Sequence, residues 1–253
     1  GVQTCALPIW VEAQVSEIAA GAQTNQQQLS SLFTAVEQMR GDLAISDEQT
    51  KQLAKAAVQM EGQAETISER LAQVGLDDYH QRIYDLALEG ARQISTQFEA
   101  DIGQRRVSLE DLFDRSYQLI PKTSPPKFQT RFDRYTDQVL PSIQESLLPR
   151  HEGLVFAIAC TPQGYVPTHN TAFCQPLTGD PRLDTVHNRT KRKFDDRTGI
   201  RCGSHQQPVL LQTYTRDTGE LMHDLSVPIM VQGRHWGGLR LGYKPEEIGR
   251  AHV

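Results

Sequence analysis

The sequence predicts an α+β protein, in which one long helix precedes a domain built on an antiparallel sheet with a long leading helix. Three observations support this fold class. Residues 11–74 contain no proline and repeat apolar side chains at alternating intervals of three and four residues. The composition changes at Gly75, after which aromatic residues and prolines become frequent. Beyond residue 153, short apolar runs follow one another on glycine-containing loops, as the strands of an antiparallel sheet do.

The long helix carries a narrow apolar seam. Sixteen of its nineteen positions are apolar, and Asn25, Ser46 and Thr50 are the exceptions. A repeat sustained over about nine heptads predicts a coiled coil, because a globular helix shows a broader apolar stripe. Such a seam needs partner helices, and we expect a homodimer. The seam consists of Val11, Val15, Ile18, Ala22, Asn25, Leu29, Leu32, Val36, Met39, Leu43, Ser46, Thr50, Leu53, Ala57, Met60, Ala64, Ile67, Leu71 and Val74.

The two ends of the chain resemble translated sequencing adapter. Residues 3–9 read QTCALPI and residues 247–253 read EIGRAHV. Codons can be chosen that make the two stretches reverse complements over most of their length, which unrelated protein termini have no reason to show. We therefore leave residues 1–9 and 247–253 out of the fold prediction. The expected organisation is an arm at 10–75 and a second domain at 76–245, both belonging to a longer protein.

The residue types of the arm are more specific than its periodicity. Residues 18–39 read IAAGAQTNQQQLSSLFTAVEQM, and residues 46–72 read SDEQTKQLAKAAVQMEGQAETISERLA. These segments resemble the C-terminal arm of the cytoplasmic hairpin of methyl-accepting chemotaxis proteins. The resemblance implies that a hairpin tip, which binds a histidine kinase and a coupling protein in that family, precedes Trp10 in the full-length protein. A generic coiled-coil linker is the alternative.

The same resemblance implies methylation sites on the arm. In the family these are Glu/Gln pairs flanked by small residues, which let the methyltransferase reach an exposed carboxylate. The matching position is Glu61, but Gly62 replaces the second member of the pair. Glu61 is therefore a weak methylation candidate, and a solvated coil glutamate is the alternative.

The second domain is predicted to begin with helices. Residues 77–103 form the long leading helix, Ser108 caps a shorter helix over 109–117, and residues 128–148 form another that is interrupted near Pro141.

Strands follow these helices. The run LVFAIACT at 154–161 predicts a buried strand, and YVPTH at 165–169 is expected to return against it. VLLQTYT at 209–215, LMHDLSVPIMV at 221–231 and RHWGGLRLGY at 234–243 predict a meander on short loops. Together they suggest a sheet of about five strands.

Several segments of this domain resemble the Cache or PAS-like sensors of chemoreceptors. They include GYVPTHN at 164–170, NRTKRKFDD at 188–196, LLQTYTRDTGE at 210–220 and LSVPIMVQGRHWGGLRLGY at 225–243. The resemblance implies a ligand pocket between the sheet and the loops that cover it. The loop 168–194 would then be a lid with cationic donors for a carboxylate or phosphate. A solvated basic loop is the alternative, favoured for the lysines of the loop. The candidates are His169, Asn170, Asn188, Arg189 and Arg192.

Three further candidates lie on the predicted strands. Strand alternation makes Tyr214 a pocket candidate, with a packed core tyrosine as the alternative. Asp224 lies within an apolar strand and needs a partner if buried, such as Arg240 or Arg189. Trp236 precedes two glycines, where a ligand or another backbone can approach closely, and core packing is the alternative.

The remaining patterns exclude other chemistry. The histidines lack HxH and HExxH spacing, so no metal is expected, and the four cysteines lack CxxC spacing. No cofactor is expected, although haem on a single axial histidine leaves no spacing signature and stays an alternative. The absence of GxSxG, P-loop and Rossmann motifs predicts no catalytic residues and no enzyme. A net charge of −5 argues against nucleic acid as a partner.

We therefore expect a fragment of a methyl-accepting chemotaxis transducer that senses a small molecule. The alternatives are the sensor module of another bacterial signalling protein, including a haem-binding one, and a structural coiled coil with an inert cap. No window of 18 uncharged apolar residues occurs. We expect this portion to be cytoplasmic, and the full-length protein to be anchored in the inner membrane through an N-terminal region that precedes it.

Overall fold

The computed structural model describes residues 6–216 and 219–246, apart from the side chains of residues 6–9, 65 and 68–74. Its contacts divide the chain into two compact units, Gly1–Gly62 and Gln63–Val253. Most of the adapter-like residues, 1–5 and 247–253, lie outside the described part of the chain, and Cys5 lies there with them.

The first unit is helical. Helix α1 spans Ala6–Val74 and ends where the sequence places a stop, at Gly75. The large apolar side chains of the seam between residues 11 and 60 are 45 to 71% exposed. Glu61 is exposed as well. The apolar seam of the arm therefore faces solvent in the single chain. Within the described residues, no helix combines the length and the hydropathy needed to cross a membrane.

The second unit begins within the last turns of α1, and the predicted leading helix follows as α2 (Asp78–Gly103). Asp77 caps it, because a side-chain oxygen of Asp77 accepts a hydrogen bond from the His80 amide at 2.8 Å. The first turn of α2 is also tied to the last strand of the domain. The Tyr79 hydroxyl donates to the Lys244 carbonyl at 2.7 Å, and His80 Nδ1 lies 2.7 Å from the Tyr243 hydroxyl.

The next helices differ from the prediction in length. Helix α3 covers only Leu109–Leu112, with Ser108 as its cap. Strands β1 (Gln118–Ile120) and β2 (Lys127–Gln129) pair as a hairpin, so helix α4 begins later than expected and spans Asp133–Leu147. Pro141 lies inside α4 without interrupting it. A proline removes only one backbone donor, and buried residues on both sides of it hold the helix in the core.

A four-stranded antiparallel sheet forms the centre of the second unit. Its strands are β3 (Leu154–Cys160), β6 (Leu210–Thr215), β7 (Leu221–Val231) and β8 (Arg234–Tyr243), in the order β3-β8-β7-β6. The predicted meander of the last three strands is confirmed. The mixed α+β architecture with antiparallel sheets is confirmed too.

The predicted hairpin between β3 and the following segment is wrong. Strand β4 (Tyr165–Val166) pairs with β5 (Arg192–Lys193) instead, so the central sheet has four strands. Side chains occupy the edge of β3 that a hairpin partner would have used. The Ala157 amide donates to Asn170 Oδ1 at 2.8 Å, and the Ala159 amide donates to Gln144 Oε1 at 2.9 Å. Because these two amides are satisfied, the edge needs no further strand.

The two faces of the sheet differ in character. One face packs against α2 and α4 and forms the main core. Alternation along the strands sends every second residue to this face, and because the other face is also covered, the strands read as long apolar runs. Its fully buried side chains include Leu225, Val227, Ile229, Leu239, Leu241, Trp236 and Tyr243.

The opposite face is covered by the short helix α6 (Arg197–Ser204) and by the residues just before it. Another short helix, α5 (Pro181–His187), precedes those residues in the chain. A smaller apolar cluster lies here and contains Phe156, Ile158, Cys160 and Cys202. Burial raises the pKa of the Cys160 thiol to about 12, so this cysteine is an unreactive buried thiol.

Glycines in β8 allow this second layer to approach the sheet. A Cβ at Gly238 would lie 2.1 Å from the Cys202 carbonyl oxygen of α6. A Cβ at Gly242 would lie 2.1 Å from the Phe156 ring. The close backbone approach expected beside Trp236 therefore occurs, and it brings α6 onto the sheet.

We predict that Gly238→Ala lowers the free energy of unfolding by about 2–3 kcal/mol, because a backbone carbonyl rather than a flexible side chain must move. Gly103→Ala is the control, since a Cβ there meets nothing within 4 Å. Its effect should stay within about 1 kcal/mol. Urea unfolding of both variants measures the difference. Equal effects would show that the contact between α6 and the sheet is not tight.

Candidate functional site

A cavity of about 360 Å³ lies on the face of the sheet that α6 covers. Its lining comes from β3, β6 and β8 on the sheet side and from residues 189–198 on the covering side. The lining combines an apolar wall with a concentration of guanidinium groups. The lining residues are Phe156, Ile158, His169, Arg189, Arg192, Phe194, Asp196, Thr198, Tyr214, Thr215, Arg216 and Arg240.

Arg240 supplies a buried positive charge on the sheet side. Its side chain is 6% exposed, and Nε and Nη2 both donate to Oδ2 of Asp224. Asp224, on the neighbouring strand, is fully buried. Its other oxygen accepts from the Cys202 thiol at 3.1 Å. The nearby carboxylate holds the pKa of Arg240 well above its usual value, although burial opposes this. Asp224 thus allows a guanidinium to be buried in the sheet.

Arg189 and Arg192 supply two more cations from the covering side. Each guanidinium carbon lies over the Phe194 ring, at 5.2 and 5.0 Å from its centroid. Arg192 Nη1 also donates to the Thr185 carbonyl at 3.1 Å. Stacking of this kind orients the flat guanidinium group.

Arg216 completes the set at the end of β6. Its backbone amide donates to the Glu220 carbonyl at 2.9 Å, which closes the loop between β6 and β7. Its Nη1 lies 3.6 Å from Glu220 Oε2. Arginines from three separate parts of the chain thus reach the same cavity.

His169 is neutral in this environment. Burial first, and then the charges of Arg189, Arg240, Arg216 and Arg192, hold the pKa of His169 well below 6.5. Its Nδ1 accepts from the Asn170 amide at 2.8 Å. In the neutral ring the proton therefore resides on Nε2, which is a hydrogen-bond donor. His169 adds a donor to the site without adding a charge.

Tyr214 adds a hydroxyl to the cavity. Burial raises the pKa of Tyr214 to about 12, so the phenol keeps its proton at neutral pH. Among the described residues, no hydrogen bond occupies this hydroxyl. Among the lining residues that the structure describes, Asp196 is the one carboxylate, and its Oδ1 accepts from the Gly199 amide at the start of α6. Positive charge therefore predominates along the lining.

Four of the eight ligand-site candidates lie at this cavity: His169, Arg189, Arg192 and Tyr214. The other four do not line it. Asn170 caps the edge of β3, and Asp224 lies behind Arg240. Asn188 accepts a hydrogen bond from Lys127 Nζ. Trp236 lies on the opposite face, where its Nε1 donates to the Leu112 carbonyl at 2.9 Å and its ring centroid is 5.3 Å from that of Phe98.

Sequence reasoning missed part of the lining. Arg240 was expected only as a partner for Asp224, and Arg216, Phe194 and Asp196 were not candidates. A usable signal was present in β8, where Arg240 shares a face with Gly238 and Gly242. A charged residue between two glycines on one face of an otherwise apolar strand indicates a site that another layer covers.

Chemically, this arrangement suits an anion. Guanidinium groups form paired hydrogen bonds to carboxylate or phosphate oxygens, and His169 and Tyr214 can donate further bonds. The wall of Phe156, Ile158 and Phe194 provides apolar contact for a short carbon skeleton.

Comparisons with known proteins add little to this geometry. No family model matches the chain, and a search of curated proteins finds no match. Among solved structures, the chain is similar to an extracellular ligand binding receptor from Desulfohalobium retbaense DSM5692 at 16% identity and a TM-score of 0.30. The alignment covers 63% of this chain and 24% of that one, so the chain spans about a quarter of that receptor's length. A similarity this distant carries no argument about function, which must be inferred from the geometry of the chain itself.

We predict that Asp224→Ala lowers the free energy of unfolding by about 3–5 kcal/mol, because it leaves Arg240 buried without a carboxylate. In the double variant Asp224→Ala/Arg240→Ala, no charge remains buried alone. Its loss, measured by urea unfolding, should be smaller than the sum of the two single losses. Strictly additive losses would contradict a coupled buried pair.

Proposed function

We propose that this chain is part of a methyl-accepting chemotaxis transducer, in which residues 76–245 bind a small anion and residues 10–75 belong to the kinase-control arm. The observation that carries the proposal is the cavity in which Arg189, Arg192, Arg216 and Arg240 converge. Arg240 is buried and the other three are partly buried, so four guanidinium groups concentrate positive charge at one cavity. Guanidinium groups bind carboxylates and phosphates through paired hydrogen bonds, so this lining favours an anion.

The ligand class follows from the lining. A cavity of about 360 Å³ is at the small end of the range for ligand sites. It suits a molecule with one or two carboxylates or a phosphate on a short apolar skeleton. The phenol and the neutral imidazole can recognise a hydroxyl or an additional oxygen, because both groups donate hydrogen bonds.

The Cache or PAS-like assignment of residues 76–245 belongs to the same proposal. It is supported by a long leading helix on one face of an antiparallel sheet and a covered cavity on the other. The segments that resemble chemoreceptor sensors supply Arg189, Arg192, Tyr214 and Arg240 to that cavity.

The role of the arm is supported by its exposed seam. Apolar side chains that are 45 to 71% exposed along many turns of helix are stable in water only when other helices cover them. We propose that a second copy of the protein provides this cover. The hairpin tip of the full-length protein would then bind the histidine kinase and the coupling protein, and the chain would act as a non-enzymatic, cytoplasmic sensor of a membrane-anchored transducer.

The ligand proposal predicts that the chain is stabilised by short dicarboxylates, hydroxy acids, amino acids or inorganic phosphate. A ligand at 100 times its Kd should raise the Tm by about 5–10 °C. Thermal-shift screening of the chain against these anions, with haem and neutral sugars for comparison, measures this. If no anion shifts the Tm, the proposed function is wrong.

For an anion found in that screen, Arg189→Gln should weaken binding at least about tenfold, because it removes a charged hydrogen-bond donor from the cavity. Arg182→Gln is the matched control. It removes the same charge from α5, where the Arg182 side chain is 92% exposed and does not line the cavity. Titration calorimetry gives both affinities. Equal losses in the two variants would mean that only general surface charge attracts the ligand.

The arm proposal predicts a dimer that depends on the seam. Leu53→Asp/Met60→Asp places two charges in the seam and should shift the chain to monomer, because buried carboxylates have no partner there. Gln52→Asp/Gln59→Asp is the control, which adds similar charge on neighbouring positions outside the seam. Sedimentation velocity compares the two. The proposal would be overturned if the wild-type chain stayed monomeric at about 100 μM.

A further inference from the structure

A buried lysine holds the segment that carries Arg189 and Arg192. Lys127 lies on β2, far from this segment in sequence, and only 4% of it is exposed. Its Nζ donates to the Asn188 carbonyl at 3.2 Å, to Asn188 Oδ1, and to the Thr190 carbonyl at 2.7 Å. Three oxygen atoms from residues on both sides of Arg189 thus converge on one ammonium group.

The rest of this segment is held by backbone hydrogen bonds. The Arg189 amide donates to the Phe173 carbonyl at 2.7 Å, and the Lys191 amide donates to the Val166 carbonyl at 2.9 Å. The Phe128 amide, next to Lys127, donates to the Lys191 carbonyl at 2.8 Å. The Asn188 side chain continues the network, because its Nδ2 donates to the Gln175 carbonyl at 2.6 Å.

These backbone bonds do not use the carbonyl oxygens of residues 188 and 190, which accept from Lys127 Nζ instead. The Asn188 side chain also meets Lys127 Nζ, whereas the side chain of the next residue, Arg189, lines the cavity. The bonds to residues 188 and 190 thus hold the backbone on both sides of Arg189. The anchor also explains why Asn188, a predicted ligand-site residue, does not line the cavity. Its side chain bridges the lysine to the Gln175 carbonyl and takes no part in the lining.

We propose that Lys127 is the positioning residue of the anion site, holding the 188–190 backbone so that Arg189 and Arg192 face the ligand. This inference rests on the proposed function of the cavity. Lys127 itself does not line the cavity, so it acts on the ligand only through the segment that it anchors.

The protonation state of Lys127 makes the proposal testable without a mutation. An ammonium group donates three hydrogen bonds, whereas a neutral amine donates two. Burial, followed by the charge of Arg192, lowers the pKa of Lys127 from 10.5 to about 8. Cys174 and Asp184 raise the pKa, and Lys191 lowers it. The anchor therefore loses one of its three bonds as the pH rises through about 8.

The direction of the pH dependence distinguishes a loss of the Lys127 anchor from global unfolding. Because folding lowers the pKa of Lys127, the unfolded chain holds the proton between pH 8 and 10.5, and the contribution of Lys127 to the free energy of unfolding rises over that range. Affinity for the anion should fall over the same range, because the arginine segment is held less firmly. The guanidinium groups keep their charge throughout.

The experiment measures the affinity of the chain for sulfate and for succinate between pH 7 and pH 9.5, where both probes stay dianionic. In the wild type, affinity should fall several-fold as the pH passes about 8. Lys127→Met should bind about 10- to 100-fold more weakly at pH 7, with a flat profile. Lys122→Met is the control, because it removes the same charge from an exposed position in the same hairpin and should keep the wild-type affinity and profile.

Hydrogen exchange at the Arg189 and Lys191 amides is the second readout, and it needs no ligand. Both amides should exchange faster in Lys127→Met than in Lys122→Met at equal pH. If neither probe binds the wild type, the proposed function fails for these anions, and the exchange comparison alone decides the role of Lys127. Unchanged exchange in Lys127→Met, or wild-type affinity with a wild-type pH profile in that variant, would overturn the proposal.

Discussion

The buried ion pair between Asp224 and Arg240 is the interaction on which the cavity depends. A guanidinium on the face of a sheet cannot be desolvated without a carboxylate, and β7 supplies Asp224 two residues before Ser226, the direct neighbour of Arg240 on that strand. Gly238 and Gly242 flank Arg240 on the same face and let α6 and the Phe156 ring cover the strand. The pair therefore allows a positive charge to form part of a covered cavity rather than a solvated surface. The other arginines reach this floor from loops and strand ends, where they can be placed independently.

The two faces of the sheet carry different kinds of side chain. The face against α2 and α4 is apolar, and its large side chains provide most of the buried area that holds the domain together. The other face carries few apolar residues and places its polar ones around the cavity. Polar groups on this side are satisfied locally, by Asp224 for Arg240 and by oxygens of the 188–190 segment for Lys127. The residues that line the cavity therefore lie outside the main core.

In the proposed transducer, β8 is the element through which the cavity can act on the helices. It contributes Arg240 to the cavity from one face, and Trp236 and Leu239 to the core from the other. Its last residues are tied to the first turn of α2 through Tyr79 and His80. Only three residues separate α1 from α2. A change in the position of β8 on anion binding would therefore be transmitted to the start of α2, which follows the arm in the sequence.

Patterns that repeat every few residues were sufficient to predict much of this fold. Heptad spacing predicted α1 and its end at Gly75, alternation and Gly-containing loops predicted β6, β7 and β8, and a buried acid predicted a partner for Asp224. These features depend on neighbours in the sequence, whose geometry is set by the helix and strand repeats. Pairings between distant segments were not readable in this way. The hairpin predicted for β3 failed because side chains of Gln144 and Asn170 complete its edge, and the role of Asn188 became clear only beside Lys127, 61 residues earlier. Such contacts depend on how separate elements pack, and one sequence contains no local signal for the distance between them.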